Sequence, residues 1–247
     1  MKIRYCLLVK TVPEYSKRDG TLYTCSIGLS PELGLIRIYP LPPTGMNKWG
    51  IYELEVERNK RDTRKESWKL SSYARKENWT SLSDDVKFVR TANKSKVLSF
   101  LSRYIYPSIS KLNEDRKSIG LIQTNQIRGY WDVNKKFINT NQVGMFDDVE
   151  LAWFASYTKT TKQKESRVKF IDADGKHDLQ LNEWGLYEYQ RKFGAKEDAF
   201  RFINKGNSNY LMVGNMHNYR STWIGMTTFN LKVEENSLFN HSTIKNR

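Results

Sequence analysis

The stretch Leu35-Ile36-Arg37-Ile38-Tyr39-Pro40-Leu41-Pro42-Pro43 decides the fold of the first half of this chain. Its isoleucines alternate with Arg37 and Tyr39, which is the two-residue period of a strand with one buried face. Pro40 has no amide hydrogen to donate, so the strand is expected to end there or to lie at a sheet edge. Residues 21–34 supply a second strand candidate followed by a tight turn. The sequence therefore predicts a β-hairpin at this point.

Two further strand candidates surround the hairpin. Residues 3–9 form a short apolar run, and residues 51–57 alternate between apolar and acidic side chains. Four or five short strands joined by turns rich in glycine and proline are typical of a small closed barrel. We therefore expect a β-barrel within residues 1–83.

The rest of the chain repeats this logic with helices inserted. Residues 84–117 have apolar side chains at helical spacing and are predicted to form a helical connector. A second β domain is expected over residues 118–233, with a helix that begins at Glu183 and is capped by Asn182. Its predicted strands are residues 118–123, 126–131, 151–157, 167–171, 177–181, 210–213 and 223–229. Residues 234–247 read as a flexible tail.

Charge is the strongest compositional signal. The 247 residues include 41 basic and 27 acidic side chains, which gives a net charge of +14. Such an excess favours a polyanionic partner, most often nucleic acid, although a lysine-rich proteome would produce the same bias. The two cysteines, Cys6 and Cys25, lie in apolar runs and read as buried hydrophobic residues of a cytoplasmic protein. No run is long and apolar enough to predict a membrane span.

A charge-dense segment, residues 58–69, follows the fourth predicted strand and is the candidate binding site. Basic residues interleaved with aromatic ones suit a phosphate backbone and stacked bases, and a solvated loop anchored by its tryptophan is the alternative. We expect phosphate capture by the basic residues of this segment and base stacking or positioning by the hairpin and the tryptophan. The candidate nucleic-acid-binding residues are Arg37, Tyr39, Arg58, Lys60, Arg61, Arg64, Lys65 and Trp68.

Signs of catalysis are sparse. The three histidines are widely separated, and phosphate-binding loops, dinucleotide fingerprints and nucleophile elbows do not occur in the sequence. Asp172, Asp174 and Glu183 form the best carboxylate cluster and would be the metal ligands of a nuclease. However, Asp172 to Gly175 has the composition of a hairpin turn. We therefore predict no cofactor and no metal, and keep the nuclease as an alternative.

Several short segments resemble the dual OB-containing domain family. The matching pieces in the first half are Cys25-Ser26-Ile27-Gly28 and Ile36-Arg37-Ile38-Tyr39-Pro40. Those in the second half are residues 118–122, 167–170 with 178–181, 210–214 and 224–226. The resemblance implies a mainly β, α+β chain with two small OB-like β-barrel domains and inserted helices. It also implies an accessory nucleic-acid-binding role in a prokaryotic anti-phage defence or mobile-element system.

The predicted partner is therefore DNA or RNA. A third possibility is that the chain is a protein-interaction subunit of a defence complex, in which the basic surface meets an acidic patch of a protein encoded by a neighbouring gene. The sequence does not distinguish single-stranded from double-stranded nucleic acid.

Overall fold

The computed structural model describes residues 1–16, 21–43, 45–72, 86–133, 164–205 and 210–230. The predicted α+β, mainly β architecture with OB-like barrels is confirmed. The strands are β1 (Lys2–Lys10), β2 (Glu14–Ser16), β3 (Thr21–Ser30), β4 (Gly34–Leu41), β5 (Gly50–Arg58), β6 (Ser67–Leu70), β7 (Lys87–Thr91), β8 (Ile105–Tyr106), β9 (Ile119–Gln123), β10 (Gln126–Val133), β11 (Lys164–Asp172), β12 (Gly175–Gln180), β13 (Tyr210–Asn215) and β14 (Trp223–Phe229). The predicted strand at residues 151–157 and the tail at 234–247 lie outside the described residues.

The first barrel closes through five strands. Their order is β1-β3-β4-β6-β5, and β5 pairs with β1 to complete the circle. The pair β4–β6 is parallel and the other pairs are antiparallel. This is a five-stranded Greek-key barrel of the OB type. The additional strands β2 and β7 pair with β3 and β5.

The predicted hairpin is β3 and β4. Ser30 pairs with Gly34, whose positive φ of 76° suits the tight turn. Contrary to the expectation for Pro40, β4 continues to Leu41, with a cis bond between Tyr39 and Pro40. The register of β3 and β4 shifts here, so the proline falls at an irregularity of the ladder, where its missing amide hydrogen is tolerated.

The second barrel repeats the order of the first. Strands β9 and β10 are separated by two residues and act as one bent first strand, because β9 pairs with β13 while β10 pairs with β11. Strand β11 pairs next with β12, and β14 pairs with β13. Leu181, just beyond β12, forms a parallel bridge with Gly225 of β14. This bridge is the counterpart of the parallel pair β4–β6.

The described residues also form four α-helices. They are α1 (Lys94–Leu101), α2 (Ile109–Glu114), α3 (Trp184–Phe193) and α4 (Arg201–Asn204). The segment predicted as a helical connector also holds β7 and β8, so its helical assignment was only partly right. The predicted cap of α3 was wrong, because the N-cap residue is Glu183 and the Asn182 side chain accepts a hydrogen bond from the Val12 amide.

The barrels are joined by a shared apolar core. In β1 a continuous run from Tyr5 to Val9 is buried, because one face points into the barrel and the other meets the second barrel. Helix α1 adds Val97 and Leu101 to this layer. The layer also includes Leu8, Ile27 and Leu35 from the first barrel and Ile119, Leu121, Met212, Met226 and Phe229 from the second.

Candidate nucleic-acid interface

Two equivalent loops of the two barrels meet at one surface. Residues 59–66 connect β5 to β6, and residues 216–222 connect β13 to β14. Both connect the fourth and fifth strands of their barrel, and in OB folds this loop is one of the ligand-binding loops. We call residues 59–66 and 216–222 together the two-loop surface.

A buried ion pair within the first loop is hydrogen-bonded to the second barrel. The Arg64 guanidinium donates to Asp62 through Nε, at 2.9 and 3.0 Å from the two carboxylate oxygens. The same guanidinium donates to the main-chain carbonyl of Asn215 at 2.7 Å. Arg64 and Asp62 are each 8% exposed, so their charges are largely removed from water. The first loop is therefore anchored to the second barrel by the Arg64 guanidinium, whose charge is balanced by Asp62 of the same loop.

Further contacts join the two loops around the Arg64–Asp62 ion pair. His217 Nδ1 lies 3.2 Å from Asp62 Oδ1, and Arg220 donates to Thr63 Oγ1 at 2.8 Å. The segment before β9 also reaches this place, because the Ser118 carbonyl accepts from the Asn215 amide at 3.0 Å. Three segments of the chain that are distant in sequence therefore form one continuous surface.

The exposed side chains of this surface include several cations and a tyrosine, together with uncharged residues such as Thr63 and Met216. Tyr219 is 65% exposed and lies beside Arg220 in the second loop. The carboxylates are occupied: Asp62 is paired with Arg64, and Glu66 accepts a hydrogen bond from Ser118 Oγ at 2.8 Å. The exposed cations of the loops and of the adjacent segment are Lys60, Arg61, Lys65, Arg116, Lys117 and Arg220.

Two predicted site residues are buried instead. Arg37 is 2% exposed and donates to the Ser118 carbonyl at 3.1 Å. A Cβ atom added at Gly214 would lie 2.9 Å from its guanidinium, so the second barrel packs directly against it. Arg64 is held by Asp62 and Asn215, as described above. Neither arginine presents its charge to a phosphate, and both connect the barrels.

The aromatic residues divide in a similar way. Tyr39 is 38% exposed on β4, whereas Tyr5 and Tyr23 are buried inside the first barrel. Trp68 is partly buried, and the Arg58 guanidinium lies 4.9 Å from its ring centre. Arg58 also donates to the main-chain carbonyls of Arg64 and Lys65. Arg58 is exposed, as are the predicted residues Lys60, Arg61 and Lys65, but its guanidinium is engaged by the loop backbone and by the partly buried Trp68.

The second barrel covers part of the outer face of the second and third strands of the first barrel. In OB folds the face of the second and third strands is a common ligand surface. Here those strands are β3 and β4, and their outward residues Ile27, Leu35 and Arg37 are covered by the second barrel. Binding by the first barrel is thereby directed towards its loops.

The three carboxylates of the nuclease alternative are not brought together. Asp172 is 4% exposed and accepts hydrogen bonds from the Ile109, Asp174 and Gly175 amides, so it organises a turn and the start of α2. Hydrogen bonds from Ser108 and Ser110 lower the pKa of Asp174. Glu183 instead pairs with Lys48 at 3.0 Å.

The separation of these carboxylates follows from the strand between them. The six residues of β12 span roughly 20 Å in extended conformation. Asp172 precedes this strand and Glu183 follows it, which places them at opposite ends. Within the described parts of the chain, no group of three or more histidine, cysteine, aspartate or glutamate side chains is placed to hold a metal ion.

Sequence reasoning overlooked the second loop. A polar turn between two apolar strands contains His217, Tyr219 and Arg220. The sequence pattern indicated only that His217 has no metal-ligand partner at a suitable spacing, and it did not identify this turn as a binding loop. The signal that could have found them is the adjacent aromatic and basic pair Tyr219-Arg220, in the loop that corresponds to the basic loop of the first half.

Comparison with known proteins gives a partial match. A family model described as a domain of unknown function (DUF8758) matches residues 1–97, which cover the first barrel, β7 and the first turn of α1. No curated protein matches the chain. Among the described residues, no helix has the length and apolar character needed to cross a bilayer. The chain is thus similar to DUF8758 over its first barrel and the first of the two loops.

Proposed function

We propose that this protein binds nucleic acid through the two-loop surface. The observation that supports the proposal is the meeting of two equivalent OB loops whose exposed side chains include cations and an aromatic ring, while the carboxylates of Asp62 and Glu66 are occupied by protein partners. Phosphates would be captured by Lys60, Arg61, Lys65 and Arg220. We also propose a setting in prokaryotic defence or mobile elements, which rests on the family resemblance, and a cytoplasmic location, which rests on the low cysteine count.

The test is fluorescence anisotropy of the full chain with labelled single-stranded DNA, duplex DNA and RNA. Released counterions make phosphate contacts salt-dependent, so affinity should fall steeply between roughly 50 and 200 mM salt. The double variant Lys60→Glu/Arg61→Glu should weaken binding and reduce the salt slope by about 0.7–0.9 for each lost contact. Both side chains are exposed, so the fold is expected to survive.

The matched control is Lys2→Glu/Lys87→Glu. It changes the net charge equally, and both lysines are exposed elsewhere on the first barrel, beside Glu53 and Glu55. If both double variants weaken binding equally, the effect belongs to net charge and the proposed surface is refuted. Binding that does not respond to salt would equally refute phosphate capture.

The alternatives have separate readouts in the same samples. Cleavage products that appear only with Mn²⁺ and are lost in Asp174→Ala would favour the nuclease, for which the separated carboxylates offer no support. Failure to bind any nucleic acid, together with co-purification of a neighbouring gene product, would favour the protein-interaction subunit.

A further inference from the structure

The second loop carries an exposed tyrosine next to the arginine that contacts the first loop. Tyr219 is 65% exposed, whereas the tyrosines Tyr5, Tyr23 and Tyr52 of the first barrel are buried. Scattered exposed aromatic residues are common, so exposure alone decides nothing. The surroundings of Tyr219 are more informative.

The loop that carries Tyr219 is closed by its own hydrogen bonds. The Thr222 amide donates to the Tyr219 carbonyl at 2.9 Å, and the Met216 amide donates to the Thr222 carbonyl at 3.0 Å. Asn215 adds a side-chain hydrogen bond to the Arg220 carbonyl at 3.1 Å. The position of the Tyr219 backbone is therefore fixed without any contribution from its exposed ring.

The neighbouring cation connects this ring to the first barrel. The Arg220 guanidinium donates to Thr63 and lies 3.9 Å from the Asp62 carboxylate, yet 43% of its side chain remains exposed. Arg61 and Lys60 stand immediately before Asp62 on the other side of this contact and are exposed. Exposed cations therefore lie on the first loop, next to its contact with Arg220, and beside the exposed tyrosine of the second loop.

We infer that the ligand is a single nucleic-acid strand that crosses from the first loop to the second and stacks a base on Tyr219. This inference rests on the proposed function and adds the class of nucleic acid and the residue that selects it. Base faces are accessible to an aromatic side chain in a single strand, whereas in a duplex they are covered by neighbouring base pairs. Phosphate contacts alone would not distinguish the two.

The experiment compares Tyr219→Ala with Tyr219→Phe in the full chain. The probes are a labelled 20-nucleotide thymidine-rich strand and the same strand in a duplex, at a fixed salt concentration near 100 mM. Loss of one stacked base corresponds to about 1–3 kcal/mol, so Tyr219→Ala should weaken single-strand binding about 5- to 150-fold. Duplex binding should change less than about twofold, and Tyr219→Phe should bind the single strand like the unmodified protein because the ring is kept.

The failures of the two proposals are distinguishable. If Lys60→Glu/Arg61→Glu weakens binding while Tyr219→Ala leaves single-strand affinity unchanged, the strand does not reach the second loop and only this inference is overturned. An equal loss for strand and duplex in Tyr219→Ala overturns it as well. If the unmodified protein binds neither probe, the proposed function itself fails.

A second readout separates stacking from a folding defect. A strand in which one base is 2-aminopurine should change its fluorescence on binding, and Tyr219→Ala should reduce that change at saturating protein. Thermal melting of the variant should match the unmodified protein, because the ring contributes little to the packed core. A variant that melts like the unmodified protein and retains the full fluorescence change would contradict stacking on Tyr219.

Discussion

Replacement of Arg64 by methionine is the sharpest test of how the barrels are joined. The side chains of Arg64 and Asp62 are only 7% and 10% exposed, so Arg64→Met leaves a carboxylate in a largely dry site. Removing one partner of a buried ion pair typically costs 3–5 kcal/mol, because the remaining charge is uncompensated. His217 and Arg220 also approach Asp62, at 3.2 and 3.9 Å, and compensate in part. We therefore expect a loss of about 3 kcal/mol.

The assay is urea unfolding followed by circular dichroism, with thermal melting in parallel. For a chain of this size, 1 kcal/mol corresponds to about 2–4 °C, so the melting temperature should fall by about 6–12 °C. A single transition is expected, because the layer between the barrels belongs to both of them. Arg61→Met is the matched control: this neighbouring arginine is exposed, and its replacement should change stability by less than about 0.5 kcal/mol.

The double variant Asp62→Leu/Arg64→Met isolates the ion pair. Removing both charges eliminates the unpaired carboxylate, so this protein should be more stable than Arg64→Met alone. Two results would refute the reasoning. One is an Arg64→Met protein as stable as Arg61→Met, and the other is a double variant whose losses simply add.

Three further predictions follow from buried groups and tight contacts. Burial lowers the pKa of Lys10 from 10.5 to about 8. Between pH 8 and 10.5 the unfolded chain therefore binds more protons than the folded chain, so the free energy of unfolding measured with urea should rise with pH over this range, and it should rise less in Lys10→Met. Burial raises the pKa of Cys6 and Cys25 to about 11. At pH 8 a thiol reagent should therefore label the buried Cys6 only after denaturation and the partly exposed Cys25 slowly, and rapid labelling of Cys6 in the native protein would count against its burial. A Cβ at Gly28 would lie 2.4 Å from the Cys6 carbonyl oxygen, whereas one at Gly185 in α3 meets nothing within 4 Å; thermal melts should show Gly28→Ala destabilised by about 1–3 kcal/mol and Gly185→Ala stabilised by up to about 1 kcal/mol.

Local patterns predicted the strands well because each is set by its own residues. The alternation in β5 and the turn before β4 depend on side chains within a few positions, and both appear near the expected bounds. The buried run in β1 was also visible, since a strand covered on both faces has no polar alternation. These patterns did not show that the second barrel is the surface that covers β1.

The buried arginines could not be recognised in the same way. Arg37 finds its acceptor 81 positions later at Ser118, and Arg64 finds one 151 positions later at Asn215. From sequence alone an arginine in a strand or a basic loop looks the same whether it faces solvent or a second domain. Only the packing of one barrel on the other separates Arg64 from its exposed neighbours Arg61 and Lys65.

The DUF8758 match to residues 1–97 covers only one side of this packing between the barrels. The matched region contains Leu8, Ile27, Leu35 and Arg64 but not the second-barrel residues that cover or pair with them. In this chain the first barrel therefore depends on the second for the burial of an apolar face and a charge. The same contact places Arg220 against the first loop, with Tyr219 next to it in the chain. The packing that removes the strand face of the first barrel from solvent is thus also what assembles the two-loop surface, and disrupting it through Arg64 should weaken the fold and the proposed ligand site together.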